Sequence, residues 1–462
     1  MQQKWWVLIT IGVGTFMSAL DTSVVNTVLP VIRSTFDTRV EVVEWIVIIY
    51  LLGVSGLLPI FGRLGDLRGH RLIYLSGFAG FIFTSMLCGI AQSVAMLVVF
   101  RGLQAISAAM LSANSPAILT KSFPGSQRGQ ALGIQATMTY LGLTVGPSLG
   151  GWLTDQFGWR YVFFINLPVG LLALLLALRF VPRDEIGERK ETFDLGGALT
   201  LIVGLTLLLL VLNQGHRWGW FSLAVLVGLT ASGILWGLFL WIERHAPWPM
   251  VDLKLFSVPA FSGAIVSAVL NYICVYSIMF LMPFYLMQGR TLSASQTGLV
   301  LTAMPIVMAV VAPISGTLSD RIGTRWLTTL GMVVIAVGAG FLSRMEASTP
   351  LISIPFGLAL TGMGIGIFIS PNNSSLMGAA PRNRQGIAAG ILATSRNVGM
   401  VLGVGLAGAV FNSVLQLAPS EASTLFSAIQ ASFMMISAVA VLGVVISLWT
   451  GSTRKSVTQA PG

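Results

Sequence analysis

Long apolar stretches separated by short polar segments run along almost the whole chain. A helix that crosses a bilayer needs about 20 predominantly apolar residues. Fourteen stretches of this kind are present, at approximately 5–29, 43–61, 72–91, 94–119, 129–153, 161–180, 195–212, 221–242, 259–286, 296–318, 326–344, 351–375, 385–410 and 427–450. We number them spans 1 to 14. The pattern predicts fourteen transmembrane helices, and an even number places both chain ends on the same side of the membrane.

Composition supports this interpretation and excludes a soluble protein. Hydrophobic residues make up 55% of the 462 residues and charged residues 9%, whereas a soluble domain carries about 25% charged residues. Cys88 and Cys274 lie inside apolar stretches, and no spacing of cysteine or histidine fits a metal site. No pairing of a nucleophile with a base is visible either. We therefore expect no enzyme activity, no metal and no organic cofactor.

The distribution of charge along the chain predicts its orientation. The net charge is +10. Loops on the side of the chain ends hold 18 Lys and Arg residues, the opposite loops hold 6, and Arg101 and Arg396 lie inside spans. An excess of basic residues marks cytoplasmic loops. We expect a multi-pass protein of the plasma (inner) membrane, a monomer in the lipid bilayer with both termini cytoplasmic. The basic balance therefore calls for no nucleic-acid partner.

The sequence also contains an internal repeat. Gly62, Leu64, Asp66, Gly69 and Arg71 recur 254 residues later as Gly316, Leu318, Asp320, Gly323 and Arg325, and a glycine-rich block that begins at Gly129 recurs 257 residues later from Gly386. The repeat predicts an all-α polytopic membrane protein with two parallel-oriented six-helix bundles, residues 1–181 and 259–451. Residues 182–258 hold a cytoplasmic linker, an inserted helix pair and a second linker, and residues 452–462 form a cytoplasmic tail. Two parallel halves with a site between them near the midplane are typical of transporters.

Five segments carry a resemblance to the major facilitator superfamily. Gly62–Arg71 resembles the signature of its loop 2–3, Arg101–Gln104 that of its helix 4, and Gly142–Gly151 the antiporter signature of its helix 5. Leu20–Asn26 and Trp159–Pro168 resemble its fourteen-helix drug:proton antiporter branch. Two features depart from the family. Ala105 stands where the helix 4 signature usually has a glycine after Gln104. Residues 296–318 lack the acid that some members carry there, so the resemblance does not extend to a second proton site.

The resemblance implies a proton-coupled antiporter that exports hydrophobic or amphipathic drugs by alternating access. A cationic small molecule is the favoured substrate, and protons are the coupling ion. Two alternatives remain open: an exporter of a lipid or secondary metabolite on the same scaffold, and a transport-inactive membrane sensor or scaffold.

Asp21 is the acid that we place within a span, and we expect it to couple proton and substrate movement. A carboxylate inside a membrane is costly and by default functional; the alternative is a structural acid held by neighbouring helices. Arg101 enters span 4 at a similar depth, so we expect it to face Asp21 and tune its proton affinity, the alternative being an arginine bonded only to helix carbonyls. In this scheme the deprotonated Asp21 attracts the substrate, and protonation releases it.

Polar, aromatic and thioether side chains at helical spacing are candidates for the wall of a substrate cavity. These groups suit varied apolar cations, although such stripes also occur in helix cores or against lipid. The candidates are Ser18, Thr22, Trp45, Tyr50, Gln104, Asn114, Met138, Asn271, Tyr272, Tyr276, Arg396 and Asn397. Arg396 has no acid in the second half of the sequence to pair with, so both a structural role and a contact with an anionic or zwitterionic substrate are open.

The repeated loops predict a cytoplasmic gate, and the glycines of span 5 predict close helix packing. The gate residues are Gly62, Asp66, Arg68, Gly69, Arg71, Gly316, Asp320, Arg321, Gly323 and Arg325. We expect Asp66 to face the start of span 13 near Gln385, and Asp320 the start of span 5 near Arg128. The packing residues are Gly142, Gly146, Pro147, Gly150 and Gly151, which we expect to form the contact between the halves that seals the outer side.

Overall fold

The computed structural model describes residues 3–124, 127–184, 195–219, 221–245, 253–381, 385–416 and 422–450. Within these residues the regular structure is helical, apart from turns and bends. The long helices are α1 Gln3–Thr35, α2 Val40–Arg68, α3 His70–Gly89, α4 Val94–Ser122, α5 Arg128–Phe157, α6 Tyr161–Phe164 with Asn166–Phe180, α7 Leu195–Trp218, α8 Leu223–His245, α9 Pro259–Phe284 with the π-helical turn Tyr285–Gly289, α10 Ala294–Leu301 with Ala303–Ile322, α11 Thr324–Leu342, α12 Ser353–Ala379, α13 Gln385–Leu415 and α14 Ala422–Thr450. A short 3-10 helix, Leu253–Ser257, precedes α9.

The chain is an all-α polytopic membrane protein, as the apolar pattern predicts. Among the described residues, 12 helices are long and apolar enough to cross a membrane. Helix α5 is not one of them, and α7 contributes the shorter apolar helix Gly196–Leu212. The count of fourteen spans therefore stays a prediction. Glycines, threonines and glutamines make α5 more polar than its neighbours.

The repeated glycines have a local structural reason. Helices α2 and α3 meet at Gly69, whose φ is 97°, and α10 and α11 meet at Gly323, whose φ is 87°. A side chain is disfavoured at such angles, so glycine allows one helix to end and the next to begin within a single residue. The two positions are equivalent in the repeat, and they make the same sharp turn in each half.

Helix pairing repeats in the same way. In the first half α1 packs on α5, α2 on α4 and α3 on α4; in the second, α9 packs on α13, α10 on α12 and α11 on α12. Helices α7 and α8 pack on each other, and α7 also touches α2 and α13. The inserted pair thus lies against the place where the two halves meet. The predicted domain boundaries stay a prediction, because the packing does not define where one unit ends.

Candidate functional site

Asp21 lies on α1, and its carboxylate is surrounded by side chains from α4 and α6. Oδ2 accepts a hydrogen bond from Arg101 Nη1 at 2.6 Å, and Oδ1 accepts bonds from Asn166 Nδ2 at 2.7 Å and Gln104 Nε2 at 3.3 Å. The predicted contact between Asp21 and Arg101 is therefore present. Their separation is that of a charge-assisted hydrogen bond.

Arg101 makes several hydrogen bonds and one aromatic contact. Its Nη1 also donates to Gln104 Oε1 at 2.7 Å, its Nε donates to the Ile46 carbonyl at 3.3 Å, and its guanidinium carbon lies 4.0 Å from the centre of the Tyr50 ring. Gln104 in turn donates to Ser85 Oγ at 2.8 Å. A buried charge is tolerated when it is paired and hydrogen-bonded in this way. We call Asp21, Ser85, Arg101, Gln104 and Asn166 the charge network; with Ile46 and Tyr50 it joins α1, α2, α3, α4 and α6.

Two members of the charge network were not among the predicted site residues. Asn166 stands at the point where α6 is interrupted, since Tyr161–Phe164 and Asn166–Phe180 are separate helical segments. Pro168 supplies no backbone N–H to the preceding turn, which accounts for the break. The break turns the Asn166 amide onto Asp21. Ser85 could not be predicted as a site residue from the sequence, because a lone serine in an apolar helix usually forms a hydrogen bond with its own backbone.

A second buried acid was also missed. Glu44 is 1% exposed and lies in the second turn of α2, so the expectation that Asp21 is the acid inside the spans is wrong. Glu44 already falls inside the predicted stretch 43–61, one residue from its start, and α2 begins earlier still, at Val40, so the carboxylate lies within the helix. The Glu44 carboxylate lies directly over Gly408 of α13, and a side chain at position 408 would overlap it.

The charge network is closed off from the space between the halves. Asp21 and Arg101 are each 1% exposed, and Gln104 is fully buried. The expectation that Asp21 attracts the substrate by direct contact is therefore wrong for this conformation, because three donors already occupy its oxygens. On the same helix, the half-buried Thr22 donates to the Ser18 carbonyl at 3.0 Å, and its hydroxyl also lies within hydrogen-bonding range of the Tyr50 phenol.

Several predicted cavity residues point into the bundles instead. Gln104, Asn114 and Asn271 are fully buried. Asn114 donates to the carbonyls of Phe61 and Met110, and Asn271 points at the Met332 sulfur on α11, 3.9 Å away. An amide can satisfy its bonds inside a bundle, so amide chemistry alone did not show which way these side chains face. Trp45, Met138 and Asn397 are half-buried; Met138 packs on Gly12, and Asn397 bonds the Ala393 carbonyl at 3.1 Å.

Four tyrosines and Arg396 come together where the halves face each other at mid-height. Tyr276 on α9 lies within electrostatic range of Tyr50 on α2 and of Tyr272 and Arg396. Tyr140 on α5 lies within range of Tyr272 and Arg396, and the Arg396 guanidinium carbon is 6.0 Å from the Tyr272 ring centre. We call these five residues the tyrosine cluster. Tyr140 was not among the residues predicted to line the cavity. Tyr50 belongs to the tyrosine cluster, and its ring also lies against the Arg101 guanidinium.

The two halves are held together at the ends of the helices opposite the termini, which we call the outer side. Side chains at Gly151 of α5 and Gly298 of α10 would overlap the carbonyls of Ala294 and Pro147, respectively. Nearby, the hydroxyls of Ser148 and Thr302 are 2.6 Å apart. The backbones therefore touch, and this conformation is closed on the outer side.

The glycines of α5 serve two different contacts. Gly142, Gly146 and Gly150 pack on α1, within the first half, where side chains would meet Phe16, Ser23 and Val24. Pro147 follows Gly146 by one residue, and Gly151 follows Gly150 by one residue. One residue is a rotation of about 100° around the helix, so Pro147 and Gly151 contact α10 of the second half. The expectation that this motif seals the outer side is confirmed for Pro147 and Gly151, and it is wrong for the other three.

Asp155 adds a charged contact to the outer seal. Its carboxylate oxygens accept hydrogen bonds from the backbone N–H groups of Ser295 at 2.8 Å and Ala294 at 3.2 Å, which lie at the start of α10. The positive end of a helix favours an anion at this position. Asp155 is an exposed residue; the limited desolvation at the contact opposes ionisation, but the hydrogen bonds from Ser295, Ser293 and Ala294 outweigh it and hold the pKa of this carboxyl below its usual value.

At the inner side, Asp66 contacts a residue of its own turn. His70 Nε2 lies 3.3 Å from Asp66 Oδ1, and His70 Nδ1 lies 2.7 Å from Asn114 Oδ1. Gly69 abuts Asp184, which accepts a bond from the Arg71 backbone N–H at 2.8 Å. The side chains of Gln385, Asp320 and Arg128 lie outside the described residues, so both predicted gate contacts stay predictions.

The remaining gate residues take these positions. Arg68 and Arg321 are exposed, and Arg325 lies 5.9 Å from the Trp326 ring centre. Gly62 approaches Ala113 of α4, and Gly316 approaches Ser370 of α12, which is the same helix pairing in each half. These two glycines therefore contribute to packing inside each half.

Comparison with known proteins identifies relatives along the whole chain. The sequence profile of the Major Facilitator Superfamily matches residues 11–273 and again 264–461. The riboflavin transporter RibZ of Clostridioides difficile is 32% identical over 462 residues, which cover 99% of this chain and 100% of that protein. The multidrug resistance protein Stp of Mycobacterium tuberculosis is 35% identical over 405 residues, 87% of this chain and 75% of that protein. A solved bacterial homologue of the human lysosomal transporter Spinster, inward-facing and unoccupied, superposes with a TM-score of 0.70 at 15% identity over 97% of both chains, which shows a shared fold.

Proposed function

We propose, from the premise that this chain belongs to the Major Facilitator Superfamily, that it is a proton-coupled antiporter that exports hydrophobic or amphipathic small molecules by alternating access. As a member of this family, the chain is a membrane transport protein and not an enzyme. The observation that carries the proposal is the ion pair of Asp21 with Arg101, a proton-binding group held inside the membrane-spanning part of the first half.

Coupling in this scheme is indirect. A proton on Asp21 would remove the charge that faces Arg101 and leave a buried guanidinium without its counterion, which costs about 3–5 kcal/mol. The charge network would then have to rearrange. Arg101 is bonded to the Ile46 carbonyl and covered by Tyr50, so the rearrangement acts on α2.

Helix α2 links the charge network to the outer seal and to the tyrosine cluster. Glu44, two residues before Ile46, lies against Gly408 of the second half, so a shift of α2 would loosen the closed outer side. Tyr50 faces Arg101 on one side and Tyr276 on the other. A substrate that moves Tyr50 would therefore change the proton affinity of Asp21, and protonation of Asp21 would change substrate affinity by the same factor.

Available driving forces are sufficient for export. One pH unit across the membrane supplies about 1.4 kcal/mol per proton, and each 100 mV supplies about 2.3 kcal/mol per elementary charge. The similarity to Stp supports export of drug-like molecules. The similarity to RibZ over the full length of both chains favours, as a second candidate, transport of an aromatic metabolite on the same scaffold.

The test is transport by the full-length protein in proteoliposomes under an imposed pH gradient. Riboflavin, fluorescein and rhodamine 6G would each be supplied, with a pH-sensitive dye reporting proton movement. We expect gradient-driven transport of at least one compound by the wild type and by Asp37→Asn, a matched control at an exposed loop acid. Asp21→Asn would lose coupled proton movement. Full coupled transport by Asp21→Asn would refute the role of this residue, and no transport of any compound by the wild type would favour a sensor or scaffold.

A further inference from the structure

We infer that the molecule bound between the two halves is a planar aromatic anion, with Arg396 as the contact for its negative group and the tyrosines of the cluster around its ring. This deepens the proposed transport function, on which it rests, and it reverses the sign of charge that the sequence favours for the substrate.

The negative charge of Asp21 is not available to a substrate. Its oxygens accept bonds from Arg101, Asn166 and Gln104, and the side chain is 1% exposed. Glu44 is buried in the outer seal against Gly408. It precedes Tyr50 by six residues on α2, a rise of about 9 Å, so it lies at another depth from the tyrosine cluster. Neither carboxylate presents its charge to a molecule in the cluster.

The positive charge of Arg396 is available. Arginine stays protonated in proteins, and this guanidinium is half-buried near the middle of α13. Within the described part of the chain it takes part in no ion pair and no hydrogen bond, and its guanidinium carbon lies 6.0 Å from the Tyr272 ring centre. An anionic ligand would be attracted to this charge, whereas a cationic ligand would be repelled by it.

The tyrosines define the shape and polarity of the ligand. Tyr50 and Tyr140 come from the first half, and Tyr272 and Tyr276 from the second. Tyr50 and Tyr276 are buried, whereas Tyr140 and Tyr272 are half-buried, so a molecule beside Arg396 would meet one accessible tyrosine from each half. Flat rings favour stacking with another flat ring. Each phenol can also donate a hydrogen bond to an oxygen of the ligand. Rings on two sides, donors at their edges and one guanidinium fit a flat, oxygen-bearing anion.

The experiment uses two dyes that share a tricyclic xanthene ring and differ in the sign of their charge. Fluorescein is anionic and rhodamine 6G is cationic at neutral pH. Binding to the full-length protein in nanodiscs of zwitterionic lipid would be measured by fluorescence polarisation, at one pH and without a gradient. We expect fluorescein to bind at least about tenfold more tightly than rhodamine 6G, the range of one charge-assisted hydrogen bond.

Variants separate a charge contact from a structural role. Arg396→Gln would weaken fluorescein binding about tenfold or more and leave rhodamine 6G binding unchanged or stronger, while Arg396→Lys would retain most of the fluorescein affinity. Arg344→Gln removes the same charge from an exposed position and would change neither affinity. Size-exclusion profiles like that of the wild type would show that each variant is folded.

Several results would overturn the inference: tighter binding of rhodamine 6G, equal weakening of both dyes by Arg396→Gln, or binding of neither dye. The proton role is tested separately: Asp21→Asn is expected to lose coupled transport and to shift the fluorescein affinity, while fluorescein binding in this variant still depends on Arg396. Fluorescein binding that depends on Arg396, without gradient-driven transport, would refute the proposed antiport and leave the binding site standing.

Discussion

Replacing Gly151 by alanine tests the alternation between conformations directly. In the closed outer seal, the new methyl group would overlap the Ala294 carbonyl and lie within 3.0 Å of the Ser295 Cα. These atoms are backbone, so they cannot move aside as a flexible side chain would. Overpacking of this kind costs about 1–3 kcal/mol. The cost applies while the halves touch and disappears when the outer side opens.

The expected shift in the conformational equilibrium follows from that cost. A penalty of about 1–3 kcal/mol corresponds to a change of about 5- to 150-fold in favour of outer-open forms, at 1.4 kcal/mol per factor of ten. Gly133 offers a matched control on the same helix, because a side chain there would meet nothing within 4 Å. Gly133→Ala would therefore leave the equilibrium unchanged.

Cysteine labelling from outside measures this equilibrium. Thr302→Cys places a thiol in the seal, where the native hydroxyl lies 2.6 Å from Ser148. The two native cysteines, Cys88 and Cys274, are buried and would give a low background. A membrane-impermeant maleimide is expected to react with Cys at 302 about 5- to 150-fold faster in the Gly151→Ala background than in the Gly133→Ala background. Equal rates in the two backgrounds would refute the reasoning.

Two further predictions concern individual hydrogen bonds. Asp155 has a lowered pKa in the closed form, so its stabilisation of that form is fully present above the ordinary pKa, about 3.9, and is lost as the external pH falls through the lowered pKa. Labelling of Thr302→Cys, divided by the labelling rate of a free thiol at the same pH to remove the loss of thiolate, is expected to rise in this acid window and Asp155→Asn to abolish the rise. An unchanged normalised profile in that variant would contradict the assignment. Asn166→Leu removes a donor 2.7 Å from Asp21 and is expected to destabilise the protein by about 1.5–3 kcal/mol, seen as a lower melting temperature; a melting temperature equal to that of the wild type would show that this bond contributes little.

The helical architecture could be predicted because it depends on local rules. Apolar runs of membrane length predict helices, and depth along a helix converts into distance, which places Asp21 beside Arg101. The repeated Gly69 and Gly323 are found where a turn needs a positive φ. These features depend on residue spacing along one or two helices, and this spacing can be read directly from the sequence.

The missed and misplaced site residues depend on rotation and on exact helix ends. Asn166 joins the charge network because α6 is interrupted beside it, and Glu44, near the start of the predicted stretch 43–61, is buried where Gly408 of α13 packs against it. Gly150 and Gly151 differ by one residue and contact different halves. Asn114 and Asn271 are buried inside the bundles. The sequence did not reveal this, because an amide can form hydrogen bonds within a helix bundle as well as line a cavity. A single sequence does not determine helix rotation, so these details required the three-dimensional structure.

The central claim is that Asp21 exchanges its proton as substrate binds. Its most direct test is proton release from the purified full-length protein in weakly buffered solution when a transported compound is added. The account predicts proton release that tracks substrate occupancy in the wild type and in Asp37→Asn, and none in Asp21→Asn. A proton signal of wild-type size in Asp21→Asn would contradict it.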